Sequence, residues 1–198
     1  MTRSRATYHY QPNDYTCGPA SLKTALEIIG KRYSLAELIE VCKTSRNGTS
    51  VIGLIRGINK LGFSVLAIEW ATLRHLQSVL KPIVDKPLSI IVNYQEEGTN
   101  LEENGHYAVV ASYSARDSRI KLFDTLKGGK KTYKWTEFID LWWDFDYRRV
   151  KKSKRSKKFK LARKYYNRLM LIIAKKPEHL PNYTIPTAKQ FLPGRRQH

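Results

Sequence analysis

Residues 8–29 run Tyr8-His-Tyr-Gln11-Pro-Asn-Asp-Tyr-Thr-Cys17-Gly-Pro-Ala-Ser-Leu22-Lys-Thr-Ala25-Leu26-Glu-Ile-Ile29. A short extended segment ends in a polar turn, and one cysteine then opens an apolar-periodic run. Leu22, Ala25, Leu26 and Ile29 fall at the 3, 4 and 7 spacing of a buried helix face, and Gly30 stands where such a helix stops. Cys17 is therefore placed at a helix N-terminus. Unpaired N–H groups and the positive end of the macrodipole favour an anion there and raise the thiolate fraction. Gly18 would let a substrate approach the backbone, and Pro19 fits a first turn where no N–H bond is lost. Gln11 can bring a side-chain amide N–H to the same place as the Cys17 backbone N–H, and two such donors would make an oxyanion hole. Most free cysteines are small buried hydrophobes, so the partners of Cys17 decide its role.

The chain has 198 residues, of which 41% are apolar and 11% aromatic, enough to fill the core of one domain. Two cysteines are too few for a disulfide framework, which points to a reducing, cytoplasmic setting. No signal pattern opens the sequence, and no apolar run reaches the roughly 20 residues of a membrane span, so a soluble protein is expected. With cysteines far apart and histidines scattered, no metal site is expected, and no phosphate-binding glycine loop is present, so no cofactor is expected either.

Thirty-six Lys and Arg against 17 Asp and Glu give a net charge of +19. The excess is local: residues 148–164 carry +11, residues 165–198 carry +5, and the first 147 residues only +3. The block from Arg148 to Lys164 reads most simply as a solvated, poorly ordered insertion. Its charge density would also hold a polyanion, whether nucleic acid, an anionic membrane surface or an acidic protein.

Further along, Ser34-Leu-Ala-Glu37 has the form of a capping box, and Thr49-Ser50 can cap a third helix that ends at Gly62. Residues 63–70 look extended, residues 72–80 helical, and Leu88 to Asn93 is an apolar run of strand length. An acidic loop with Glu96, Glu97, Glu102 and Glu103 leads to a buried strand from Gly105 to Tyr113. Arg119 to Asp124 alternates as a strand, Gly128-Gly129 reads as turn chemistry, and Thr136 is expected to cap a last helix. Arg168 to Ala174 reads as a final strand. Helices first and strands after indicate an α+β fold, N-terminal helices packed on an antiparallel sheet. Residues 1–176 are read as one domain with the basic insertion at 148–164, and residues 177–198 as an extended or disordered tail.

His106 opens one strand and Asp124 closes the next. A turn centred near residue 115 or 116 places the partner of position 106 near 124 to 126, so both side chains fall at the same end of neighbouring strands. Nucleophilic catalysis needs this arrangement: a histidine takes the thiol proton and later protonates the leaving group, while a carboxylate on its other nitrogen fixes tautomer and orientation.

Gln11, Cys17-Gly-Pro-Ala20, Gly105-His106-Tyr-Ala-Val-Val110 and Phe123-Asp124 together resemble the papain-like cysteine peptidases of the bacteriocin-processing, double-glycine leader type. The resemblance covers roughly residues 8–145 and implies a papain-like fold and a peptide or protein substrate. It also implies roles: Cys17 as nucleophile, His106 as general base and acid, Asp124 as orienting residue and Gln11 as oxyanion donor. The family commonly follows its aspartate with proline; Thr125 stands there instead, a change expected to touch no catalytic atom. No transporter membrane domain follows, so a stand-alone form is expected, and the leader-peptide substrate does not carry over by itself. Two other readings of the same residues stay open: a non-catalytic papain-like module that holds a polyanion or acidic partner through the basic loop, and a related acyl transferase or amidase.

Overall fold

The computed structural model describes residues 8–81, 86–96, 105–126, 129–153 and 157–194. Three helices come first: α1 (Cys17–Ile28), α2 (Leu35–Cys42) and α3 (Val51–Lys60). α2 has the expected reciprocal capping box, with the Ser34 side chain on the Glu37 N–H and the Glu37 carboxylate on the Ser34 N–H. Ser50 caps α3 through the Gly53 N–H. α2 and α3 meet closely because Gly53 and Gly57 have no side chain: a Cβ at Gly53 would stand 2.7 Å from the Cys42 carbonyl oxygen, and one at Gly57 2.5 Å from the Cys42 sulfur.

The remaining elements are β1 (Ser64–Ile68), α4 (Leu73–Leu80), β2 (Leu88–Gln95), β3 (Gly105–Ser114), β4 (Arg119–Asp124), β5 (Gly129–Lys134), α5 (Trp135–Leu141), β6 (Trp143–Lys151), β7 (Phe159–Asn167), β8 (Met170–Ala174) and β9 (Ala188–Phe191). Seven strands form one sheet in the order β5-β4-β3-β2-β8-β1-β9, with every neighbouring pair antiparallel. Alternation along each strand sends side chains to two cores. On one face Val65, Ile91, Val109, Leu171 and Ile173 pack under Leu22, Leu26, Leu54 and Ile58 of α1 and α3. On the other Ile68, Val92, Val110, Leu122 and Ile172 pack under Leu76 of α4, Phe138 of α5 and Trp142. The fold is the expected mixture of helices and antiparallel sheet, with helices on both faces. Among the described residues no helix is long and apolar enough to cross a membrane.

Four expectations change. The basic segment is not a loose loop where it is described: Trp143 to Lys151 pairs in continuous antiparallel register with Phe159 to Asn167 as a separate two-stranded ribbon. The stretch after residue 177 rejoins the sheet, because β9 pairs with β1 from Val65↔Phe191 to Ile68↔Ala188. α5 begins at Trp135 with Lys134 at its N-cap, two residues before Thr136. Gly129 opens β5, while Gly128 and most of the acidic loop, Glu97, Glu102 and Glu103 included, lie outside the described residues.

Candidate active site

Cys17 is the first residue of α1, and among the described residues no side chain caps that helix, so the N–H groups of its first turn keep their positive ends for another acceptor. The helix is fixed against β3 one turn further on, where the Ser21 hydroxyl donates to the Tyr107 carbonyl at 2.7 Å. That bond sets the distance between Cys17 and the neighbour of Tyr107, His106. Gly18 serves packing: a Cβ there would stand 2.9 Å from the Thr49 Cβ, so glycine lets the loop before α3 close on the start of α1.

His106 is 5% exposed, and its imidazole lies between the two groups expected of it. Its Nε2 stands 3.3 Å from Asp124 Oδ1, and a hydrogen bond joins the ring to the Cys17 side chain. With Nε2 turned to the carboxylate, Nδ1 is the nitrogen left for sulfur. Burial alone would pull this histidine down, but the bonds to Asp124 and Cys17 outweigh it and raise the group to about 9. A positive imidazolium is the state this environment favours.

Asp124 is almost fully buried and held on both oxygens. Oδ1 accepts the Leu126 N–H at 2.8 Å, while Oδ2 accepts the Tyr94 hydroxyl at 2.9 Å and meets Lys131 Nζ at 3.0 Å. Burial would push this carboxyl up, but His106, the Leu126 N–H and Lys131 hold it well below the usual carboxylate range. Burial and the Asp124 charge push the Tyr94 phenol far above its ordinary range, so it remains a donor.

Gln11 reaches the same corner by another route. Its backbone N–H bonds the Thr125 carbonyl at 3.1 Å, its Oε1 accepts the Thr125 hydroxyl at 2.7 Å, and its Nε2 donates to the Asn13 carbonyl at 2.9 Å. One amide hydrogen is thus engaged locally, and the side chain is anchored rather than free to swing. Thr125 matters more than expected. Its Oγ1 lies 3.4 Å from His106 Nε2 as well as on Gln11, so this hydroxyl joins the histidine to the glutamine.

Two further carboxylates back the site. Asp144 of β6 accepts from Gln95 Nε2 at 3.2 Å, from Asn93 Nδ2 at 3.4 Å and from the Phe145 N–H at 2.7 Å. It lies so close against Gly105 that a Cβ there would collide with the carboxylate. Burial is the main force that pushes Asp144 up to about 7, with neighbouring Asp146 adding to it. Asp146 accepts the Val51 N–H at the start of α3 at 2.9 Å. Through this pair the base of the β6–β7 ribbon rests on the residue next to His106. Sequence reasoning missed Tyr94, Lys131 and Asp144, although the alternation Trp143-Asp-Phe-Asp-Tyr147 carried a strand signal with two inward acids.

Among the described residues the other cysteine and the other histidines lie outside this cluster. Burial pushes Cys42 up to about 12, as suits a core thiol. His9 pairs with Glu27 at 2.8 Å, and His75 completes the capping box of α4. Among the described residues no group of three or more His, Cys, Asp or Glu is placed to hold a metal ion.

Residues 5–145 match the model of the Peptidase C39 family. The chain is 32% identical over 126 residues to the transport/processing ATP-binding protein ComA of Streptococcus pneumoniae, which covers 63% of this chain and 16% of ComA. An uncharacterized protein of Methanothermobacter marburgensis is 40% identical over 59 residues, 30% of this chain and 42% of its own length. In structure the chain resembles the peptidase domain of Streptococcus ComA, with a TM-score of 0.59 at 20% identity over 87% of this chain and all of that domain. It also resembles a double glycine motif protease from an AMS/PCAT transporter, solved in complex with the leader peptide, with a TM-score of 0.53 at 16% identity over 86% of this chain and 95% of that one. The match spans most of the chain and includes the Cys17, His106 and Asp124 segments, and the chain belongs to the Peptidase C39 family of cysteine peptidases.

Proposed function

We propose that the protein cleaves peptide bonds through a thioester acyl-enzyme formed on Cys17. His106 Nδ1 takes the thiol proton, and the sulfur attacks the scissile carbonyl carbon. The resulting oxyanion accepts from the Cys17 backbone N–H and from the second amide hydrogen of Gln11. The imidazolium returns the proton to the leaving amine as the C–N bond breaks. A water then gives a proton to His106, adds to the thioester carbonyl and expels the thiolate as the acid product leaves. Asp124 holds the ring in the tautomer both halves require, and Thr125 joins that ring to Gln11.

One observation carries this reading: the buried His106 ring bridges Cys17 and Asp124, with Asp124 fixed by three further donors. The partner in this reading is a peptide or protein, and the protease solved with its leader peptide makes a segment with small residues before the scissile bond the first substrate class to try. We take residues 8–176 together with β9 as one peptidase domain. The free thiols of Cys17 and Cys42 fit a reducing, cytoplasmic setting. The test is peptide cleavage by the wild type, by Cys17→Ala and by His106→Ala. Turnover by the wild type alone is expected, and equal turnover in all three would overturn the assignment.

A further inference from the structure

The β6–β7 ribbon has two unlike faces. Asp144 and Asp146 alternate inward with Tyr166 of β7 opposite, and bind the body of the protein. The residues between them therefore point outward, and among the described residues none of these is acidic. Among them are Phe145, Tyr147, Phe159 and Tyr165, with Arg149 and Arg163. Tyr147, Phe159 and Tyr165 are 60%, 47% and 48% exposed, an unusual amount of open aromatic surface.

The rings are arrayed rather than scattered. Phe145 lies 5.4 Å from Tyr147 along β6 and 5.6 Å from Tyr165 across the ribbon. Arg163 sits over Phe145 at 4.7 Å and Arg149 over Phe159 at 5.1 Å, so each places a cation against a ring. Lysines alone would make a surface for any polyanion. Flat rings about two strand residues apart, with arginine planes between them, add a feature that only unpaired bases exploit, because a base buried in a duplex has no free face to stack. Rings and basic side chains also suit a phospholipid surface, but among the described residues Leu161 is the one exposed large aliphatic side chain on the ribbon that would insert into it.

We infer that the outer face of the β6–β7 ribbon binds single-stranded nucleic acid, stacking bases on Tyr147, Tyr165 and Phe159 while Arg149, Arg163 and the surrounding lysines neutralise phosphates. Binding is independent of peptide cleavage, since these side chains lie outside the Cys17–His106–Asp124 cluster. It shows weak sequence preference, as stacking and phosphate contacts carry little base information.

The full chain is titrated by fluorescence anisotropy with oligouridylate and oligothymidylate of about 20 nucleotides, with a duplex of equal length, and with phosphatidylserine/phosphatidylcholine vesicles. Both single strands are expected to bind more tightly than duplex or vesicles; preference for one of them tells RNA from DNA. Tyr147→Ala and Tyr165→Ala should each weaken single-strand binding roughly tenfold, while Tyr147→Phe retains it. Replacing Lys151, Lys152, Lys157 and Lys158 by Ser should flatten the salt dependence, by about 0.7 in log–log slope for each phosphate no longer neutralised. Wild-type affinity in both Tyr→Ala variants, with melting curves unchanged, would reduce the face to electrostatics and overturn the inference. Tighter binding to duplex or to vesicles would overturn it as well.

Discussion

The Tyr94 hydroxyl donates to Asp124 Oδ2 at 2.9 Å from the strand on the far side of His106, whose own ring packs edge-on against Tyr94 at 5.7 Å. β2, β3 and β4 thus contribute one residue each to a single buried contact, with the histidine of the middle strand held between its neighbours. Tyr94→Phe removes a donor from a buried carboxylate and leaves the ring packing in place. It should cost on the order of 1.5–3 kcal/mol of stability, read from urea melts. It should also lower kcat more than it raises KM. Unchanged melts would remove Tyr94 from the support of Asp124.

The pH profile follows from His106. Its imidazolium is favoured in the folded protein, so that contribution to stability is complete below about 6.5 and is lost as pH rises through about 9. Catalysis needs the same proton for the leaving amine, so kcat/KM should decline on its alkaline side near 9. Asp124→Asn takes away a force that raises His106, and the alkaline limb should move to lower pH with reduced but measurable activity. An alkaline limb unmoved in Asp124→Asn would separate the carboxylate from the histidine.

Thr125→Val keeps the shape of the side chain and removes the hydroxyl that Gln11 Oε1 accepts and that lies by His106 Nε2. The amide of Gln11 is then freed from one of its two anchors. Turnover should drop by about tenfold, mainly in kcat, as expected for partial loss of one oxyanion donor. Gln11→Ala should cost about 10²–10³ in kcat, and in that background Thr125→Val should add little. Additive losses would show that the two residues act separately.

Gly105→Ala places a methyl group where the Asp144 carboxylate sits, next to His106. Overpacking of this kind costs about 1–3 kcal/mol, and activity should fall with stability because the histidine strand is displaced. Gly105→Ala/Asp144→Ala should recover part of both, a coupling that a double-mutant cycle measures. Independent losses would mean that the ribbon base does not bear on β3.

Asp144 itself makes stability depend on pH. The folded protein keeps a proton on this carboxyl up to about 7 that the unfolded chain releases near 4, so stability falls as pH rises through that window. Among the described residues Asn93 Oδ1 and Gln95 Oε1, on the two amides that donate to Asp144, are buried without a hydrogen-bond partner. Asp144→Asn should flatten the decline measured in urea melts between about pH 4 and pH 7. The same slope in both proteins would show that Asp144 is ionised throughout.

The three central residues are legible in the sequence because each rests on a local signal. Cys17 follows from a helix start, and His106 and Asp124 from the arithmetic of one hairpin, which survives the register shift between Val110 and Ser112. Tyr94 and Lys131 depend on register across β2–β3 and β4–β5, and no property of their own segments points to Asp124. Thr125 escapes a sequence reading because a backbone comparison with proline says nothing of where a hydroxyl reaches. The ribbon is hidden by its charge: lysine and arginine clusters read as solvated chain, while the period-two pattern that forms the strands lies in the aromatic and acidic residues between them. β9 has only four residues among prolines, and its strand state comes from pairing with β1 rather than from propensity.

The most direct test of the Cys17–His106–Asp124 assignment is the rate of alkylation by iodoacetamide, followed by mass spectrometry at both cysteines. Cys42, pushed up to about 12 by burial, is the internal control. At neutral pH Cys17 should react at least roughly tenfold faster than Cys42, and His106→Ala should remove most of that advantage. Equal rates at the two cysteines, or a Cys17 rate unaffected by His106→Ala, would contradict a nucleophile activated by this histidine.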